Sequence, residues 1–469
     1  MSSQLGSLAA EKESIIKKLS GDPYRPYGTL GTGVPHLPTE VLEMIFGFAA
    51  ANFSHSTARP PFKMIISLVC KHFLAVAYNT PELWADIRMT SKEDGTERIK
   101  IHLARSKDRL LSVSVDLTHD AFVDNAEVIE RQWKMLVGEV HRWQRLEFRT
   151  ECLRYFDPLL SSLSGLDAPK LESLQICSTT STRNTAEHEF FDVDAPLFLA
   201  APSLRRLRLH GTAFPGFNKC SLVNVTHVDL LSPPDNNILD YTDLHAFLSS
   251  LPGLESLAYG GSLAFPHYRF DEYRRTLPLM NLGGLRYLRL ACADPGSFCT
   301  LLSAPQLLCL VLDAKTVENK HMQLSLLREA LCDKTQGFNN ITTLKLWNFG
   351  SGDIARLFVP PVLRNTCQVE HVTIVETDAA ALFNGLLPRG TLDLPWPRLR
   401  SLTLSNCISA PELFRFIVGR RYSGYEIPSL VIRDYLLHEY CEQLLRDASN
   451  VDLRYCWEED LDIEKDFDV

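Results

Sequence analysis

Leu204-Arg205-Arg206-Leu207-Arg208-Leu209 is the phrase on which the fold turns. It reads apolar-x-x-apolar-x-apolar. It returns as Leu171-Glu172-Ser173-Leu174-Gln175-Ile176 and as Leu399-Arg400-Ser401-Leu402-Thr403-Leu404. Further frames begin at Trp143, Val225, Leu254, Leu285, Leu307, Ile341 and Val369. Six residues with alternating apolar positions make a short strand with one buried face. Several segments between frames have helical spacing instead, among them Asp243–Leu248, Ala379–Phe383 and Pro411–Phe416. One strand and one helix cannot bury their own apolar side, but stacked copies can. Frames are spaced about 28 residues apart on average, with gaps from 21 to 34, which fits stacked strand–helix units. An ordinary α/β domain with parallel strands has a similar texture, but the returning phrase favours the repeat.

Working outward, Leu110–Leu117 alternates like one more strand, and Ser429–Ile432 and Asn450–Tyr455 read as two last strands around a helix over Tyr435–Asp447. The Asn or Cys that would sit two residues after the last Leu of each frame is mostly missing. Cys407 fits, while Asn348 and Asn406 fall one residue early. The turns are therefore expected to lack a buried side-chain ladder. Glu458–Val469 holds seven acidic residues and one Lys, the composition of a solvated, disordered tail.

Before the repeats lies a stretch of different character, Pro35 to Met89. In Leu37-Pro38-Thr39-Glu40-Val41-Leu42-Glu43-Met44-Ile45-Phe46 the apolar residues recur at helical spacing, with Pro38 at the tolerated first position. Ser67-Leu68-Val69-Cys70-Lys71-His72-Phe73 opens a second helical run, with Leu68, Val69, Phe73, Val76 and Ala77 on one face. Thr80-Pro81-Glu82-Leu83-Trp84 closes the stretch. Three short helices in about 55 residues carry more apolar surface than they can hide among themselves. The excess must bury against the rest of the chain or against another protein.

The order L-P-x-E-V-L-x-x-I-F, then S-L-V-C-K-x-F, then P-x-L-W resembles the F-box, and most closely the F-box proteins of mushroom-forming fungi. The matching residues are Leu37, Pro38, Glu40, Val41, Leu42, Ile45 and Phe46 in the first run. They are Leu68, Val69, Cys70 and Phe73 in the second, and Pro81, Leu83 and Trp84 in the third. The resemblance covers roughly an eighth of the chain, and Ser54–Pro61 looks inserted relative to compact F-boxes. It implies a three-helix module that docks onto a Skp-type adaptor and, through it, a cullin. Weak repeats after such a module again resemble this family. The expected fold class is α/β: a short all-α F-box followed by an irregular leucine-rich-repeat solenoid. The expected organisation is an N-terminal helix and flexible linker over 1–35, the F-box over 36–90 and a transition segment over 91–140. The solenoid over 141–457 and the acidic tail over 458–469 complete it.

Composition narrows the function. Apolar content of 45% and charged content of 22% are those of a folded protein. A net charge of −9 argues against non-specific nucleic-acid binding. The 12 cysteines lack any C-x-x-C pair, so neither a zinc site nor a disulfide framework is indicated, and the cytoplasm or nucleus is the expected compartment. No run approaches the roughly 18 apolar residues of a membrane span. Gly28–Gly33 is followed by Val34-Pro35 and not by the Lys of a phosphate loop. His438-Glu439 lacks a second His, and Gly350-Ser351-Gly352 is not a nucleophile elbow. No catalytic residue, metal or cofactor is expected.

The x positions of the frames are expected to face an open, concave side. They include Arg205, Arg206, Arg208, Arg286, Arg289 and Lys345, with Tyr287 and Trp347 among them. Arginine with aromatics is interface chemistry, and arginine favours carboxylate or phosphate. An acidic or phosphorylated target segment is the expected ligand of that face. The implied function is the substrate-recognition subunit of a Skp–cullin–F-box ubiquitin ligase, with no membrane or nucleic-acid partner. The alternative is a non-ligase leucine-rich-repeat scaffold that bridges proteins.

Overall fold

The computed structural model describes residues 37–52, 62–90, 94–117, 125–150, 156–178, 198–210, 222–231, 238–264, 276–333, 336–358, 360–377, 379–387, 395–405, 410–433 and 452–455. The expectations for the N-terminal helix and linker, the insertion at 54–61, Asn406 and Cys407, the helix over 435–447 and the acidic tail lie outside the described residues. The chain divides into two compact units, Met1–Leu83 and Trp84–Val469.

The first unit is helical. Helix α1 spans Thr39–Asn52, α2 Phe62–Ser67 and α3 Lys71–Asn79. The carbonyl of Pro38 accepts from the amides of Val41 and Leu42 and so opens α1. Leu42 and Phe46, one turn apart, point inward, and the Phe46 ring meets Phe62 and Phe73 edge-on at 6.3 and 5.3 Å. Ile66, Val76 and Ala77 complete the inner layer. The second sequence run is not one continuous helix, contrary to its periodicity. Leu68–Cys70 breaks it, because Cys70 is extended and its sulfur accepts the Phe73 amide at 3.4 Å as the N-cap of α3. Local capping outcompetes a pattern of only three apolar repeats.

The second unit is mixed α/β, built on one 15-stranded sheet whose pairings are all parallel among the described strands. Fourteen strands follow one another in chain order from Asp86–Met89 to Asp452–Tyr455; Ile238–Asp240 alone lies off that path, beside Ser256–Ala264. Parallel neighbours need a crossover. Helices supply it at Gly95–Ser106, Ala126–Val137, Tyr241–Ser249, Lys320–Cys332 and Ala410–Tyr422, among others. The sheet therefore begins about two strands earlier than the frames indicate. Asp86–Met89 and Leu111–Leu117 already pair in it, so 91–140 is not a transition segment, and the boundary falls at Leu83/Trp84 rather than at 90. Asp86-Ile87-Arg88-Met89 is too short and too polar at alternate sites to register as a frame.

The register turns the phrase into columns. Its fourth letter forms a buried column from Ile87 through Val113, Leu146, Leu207, Leu288 and Leu344 to Leu430. Its sixth letter forms a second, which includes Val115, Phe148, Ile176, Leu290, Leu346 and Ile432. The helices bury their apolar stripes in the same core, as Leu324, Leu327 and Leu331 do in Lys320–Cys332. Where helix Pro295–Thr300 meets that helix, Gly296 lies so close to the Gln323 carbonyl that a Cβ would approach it to 2.1 Å.

A polar spine runs along the starts of the strands. Several carbonyls there accept two successive amides of the next unit. Glu172 O takes Arg205 and Arg206, Glu255 O takes Arg286 and Tyr287, and Glu370 O takes Arg400 and Ser401. Beside it, a side chain of one turn holds the carbonyl of the turn before. Ser203 donates to Pro169 O at 2.6 Å, Asn224 to Pro202 O at 2.7 Å and Asn340 to Pro305 O at 2.8 Å. These three bonds lie at the exposed surface, at the opposite end of the strand from the expected Asn position, and are not a buried ladder. At that other end Asn348 takes up a left-handed φ of 61° and donates to Asp313 at 2.8 Å.

Candidate functional site

Two surfaces have the chemistry to hold a partner, one in each unit. In the helical unit, packing of α1–α3 uses Leu42, Phe46, Ile66, Val76 and Ala77 and leaves other large apolar side chains in solvent. Leu68 is 81% exposed, Phe48 74%, Met44 67% and Val69 60%. Leu37, Ile45, Met64, Ile65 and Tyr78 are exposed as well. Nine large apolar residues exposed among the described residues of 37–78 are far from the scattered single exposures normal on a soluble surface.

The fourteen motif residues divide by placement. Leu37, Ile45, Leu68 and Val69 are exposed, as are Pro38, Glu40 and Cys70. Val41, Phe73 and Pro81 are half-buried. Leu42, Phe46, Leu83 and Trp84 are buried in this chain and present no free side chain to a partner. For Trp84, expected as an inserted anchor, the reason is direct. It belongs to the sheet unit, its ring meets His102 edge-on at 5.2 Å, and the Arg105 guanidinium covers it at 4.4 Å. Met44, Phe48, Met64, Ile65 and Tyr78 are exposed residues that the motif letters do not include. Helical spacing could have found Met44 and Phe48, which are i, i+4 neighbours beside Ile45 on α1.

In the sheet unit, the outward letters form their own column: Glu147, Gln175, Arg208, Asp229, Ala258, Arg289, Val311, Lys345. Arg208 and Arg289 share it three strands apart, as their frame positions indicate. The column is not uniformly basic, however, because Glu147 and Asp229 stand in it with the cations. Arg208 Nε lies 3.0 Å from Asp229 Oδ2, a buried carboxylate on the next strand. Arg149 pairs with Glu147 at 2.5 Å and Arg400 with Glu370 at 3.5 Å. His210 completes a cluster with Arg208, its Nε2 3.3 Å from Asp229 Oδ1 without hydrogen-bond alignment. Burial alone would lower the imidazole pKa; attraction to Asp229 and to Cys177 on the preceding strand outweighs it and pushes the pKa up to about 9. Asp229 thus neutralises the Arg208 end of the expected basic face.

Of the remaining candidates, Arg205, Arg206 and Arg286 are exposed at strand starts. Tyr287 and Lys345 are half-buried. Arg289 behaves differently from Arg208: its guanidinium lies over the Trp347 ring at 4.7 Å. Of the two sequence candidates in the catalytic search, Ser351 starts helix Ser351–Leu357 and His438 lies outside the described residues. No helix among the described residues is long and apolar enough to cross a membrane. Neither a protein-family model nor a curated protein matches this chain.

Proposed function

We propose that the helical unit is an F-box that docks onto a Skp-type adaptor, and that the parallel array is a leucine-rich-repeat solenoid that holds a target protein. The chain is then the non-catalytic substrate receptor of a cullin ubiquitin ligase. The observation that carries this reading is the exposed apolar group on α1–α3, which coincides with the stretch of F-box letters. Aliphatic and aromatic groups in solvent favour transfer into a partner interface at about 25 cal/mol per Å². The buried letters Leu42 and Phe46 hold the helices in shape, while Ile45, Leu68 and Val69 make contact, joined by Met44 and Phe48. Receptor function then works by proximity: the ligase chemistry belongs to another subunit, and this chain raises the local concentration of target.

The test is co-purification. Full-length protein should retain a Skp-type adaptor and a cullin, and Leu68→Asp with Phe48→Asp should lose both while the circular dichroism spectrum is unchanged. Retention of both proteins by the double variant would exclude this face as the docking surface.

A further inference from the structure

On the outward face of the sheet, Arg289 is a cation without a carboxylate partner among the described residues. Arg289 is half-buried, yet among the described residues it has neither a carboxylate partner nor a hydrogen bond; its one recorded contact is with the Trp347 ring. Its Nε is buried without an acceptor, and so is Nε1 of Trp347, whose side chain is only 8% exposed. Arg289 and Trp347 stand two strands apart, with Val311 and Asp313 on the strand between them. To reach Trp347 the arginine must cross that strand. Val311, in the outward column, is fully buried. A guanidinium fixed on an indole loses little further freedom on binding, and its planar fork matches a carboxylate. Buried donors without acceptors cost free energy until an acceptor arrives.

We infer that the Arg289–Trp347 shelf binds a carboxylate of an acidic peptide segment, with Arg286 at the start of the same strand drawing the segment in. This rests on the reading of the outward face as the target-binding face. Carboxylate is preferred over phosphate because Asp313 lies beside the shelf on the intervening strand, where it accepts from Asn348 and from the Lys315 amide. That fixed negative charge penalises a dianion more than a monoanion. The Arg208 end is excluded, since Asp229 already occupies it.

Fluorescence anisotropy of a labelled hexaglutamate peptide on the full chain tests this, beside a hexapeptide of serine and phosphoserine. Hexaglutamate should bind more tightly than the phosphopeptide. Arg289→Gln should weaken hexaglutamate at least tenfold and Trp347→Phe, which keeps the ring and loses the N–H, severalfold. Arg415→Gln, exposed on the helix Ala410–Tyr422, should change it less than twofold. Arg289→Lys, which keeps the charge and loses the fork, should recover only part of the affinity. Absence of hexaglutamate binding, equal binding by Arg289→Gln, full recovery by Arg289→Lys, or preference for the phosphopeptide would each overturn the inference. Adaptor retention by Arg289→Gln, measured alongside, separates the shelf from the docking reading: each can fail without the other.

Discussion

The two units treat their apolar residues in opposite ways. In the sheet, a leucine such as Leu288 or Leu310 has a neighbour in register on each side and a helix layer in the same core, and it is fully buried. In the helical unit, Leu68 and Met44 remain in solvent. The difference lies in architecture, not in composition. A parallel array supplies each unit with the next copy as its partner. Three helices, two of them of 6 and 9 residues, have no next copy. A module that cannot complete its own core is suited to completing it with another protein.

The contrast can be broken most forcefully in the sheet. Leu310→Ala removes a fully buried side chain from the central column and should cost about 2–5 kcal/mol of stability, read from denaturant unfolding of the full chain. A loss under about 1 kcal/mol would mean that the column is not the core. The opposite response is expected in the helical unit. Met44→Asp should change stability by no more than about 0.5 kcal/mol yet weaken adaptor binding by about 2 kcal/mol or more, roughly thirtyfold. Leu42→Ala should reverse that order, with stability lost first.

A smaller effect distinguishes buried cations within the sheet unit. Arg420 is almost fully buried, and its Nη1 and Nη2 donate to the carbonyls of Pro395 and Trp396 at 2.9 and 3.0 Å. Burial lowers its pKa to about 10, so it stays charged at neutral pH. Arg420→Ala frees two buried carbonyls and should cost on the order of 2 kcal/mol, with no dependence on pH between 6 and roughly 8 since Arg420 does not titrate there.

The smallest effect is a pH slope. The pKa of His210 is raised from 6.5 to about 9, so its contribution is complete below the unfolded value and is lost as pH rises through the folded one. The wild-type chain should therefore lose more stability between pH 7 and 9 than His210→Gln does. Equal slopes in the two chains would place the imidazole outside the Asp229 cluster.

The strands were legible because their signal is local and repeated. Leu204–Leu209 and its copies name both buried columns, and the helices at Tyr241–Ser249 and Ala410–Tyr422 fall where their apolar spacing puts them. Leu111–Leu117 was legible from its alternation, but the strand before it was not, since Asp86–Met89 offers only Ile87 and Met89 as inward residues. The break at Leu68–Cys70 was hidden because periodicity does not register a capping sulfur. The basic face was half legible. Frame position set Arg208 and Arg289 in one column and puts Asp229, the fifth letter of Val225-Thr226-His227-Val228-Asp229-Leu230, in it as well, but the letters do not tell which side chains meet. Trp84 was misplaced for a similar reason: its cover, Arg105, lies a helix away in sequence.

Hydrogen–deuterium exchange of the full chain with and without a Skp-type adaptor tests the central claim most directly. The account predicts added protection in peptides covering Met44–Phe48 and Met64–Val69, with unchanged exchange at Trp84 and along the strands from Leu204 to Leu404. Protection confined to the sheet, or no change in α1 and α2 at saturating adaptor, would contradict it.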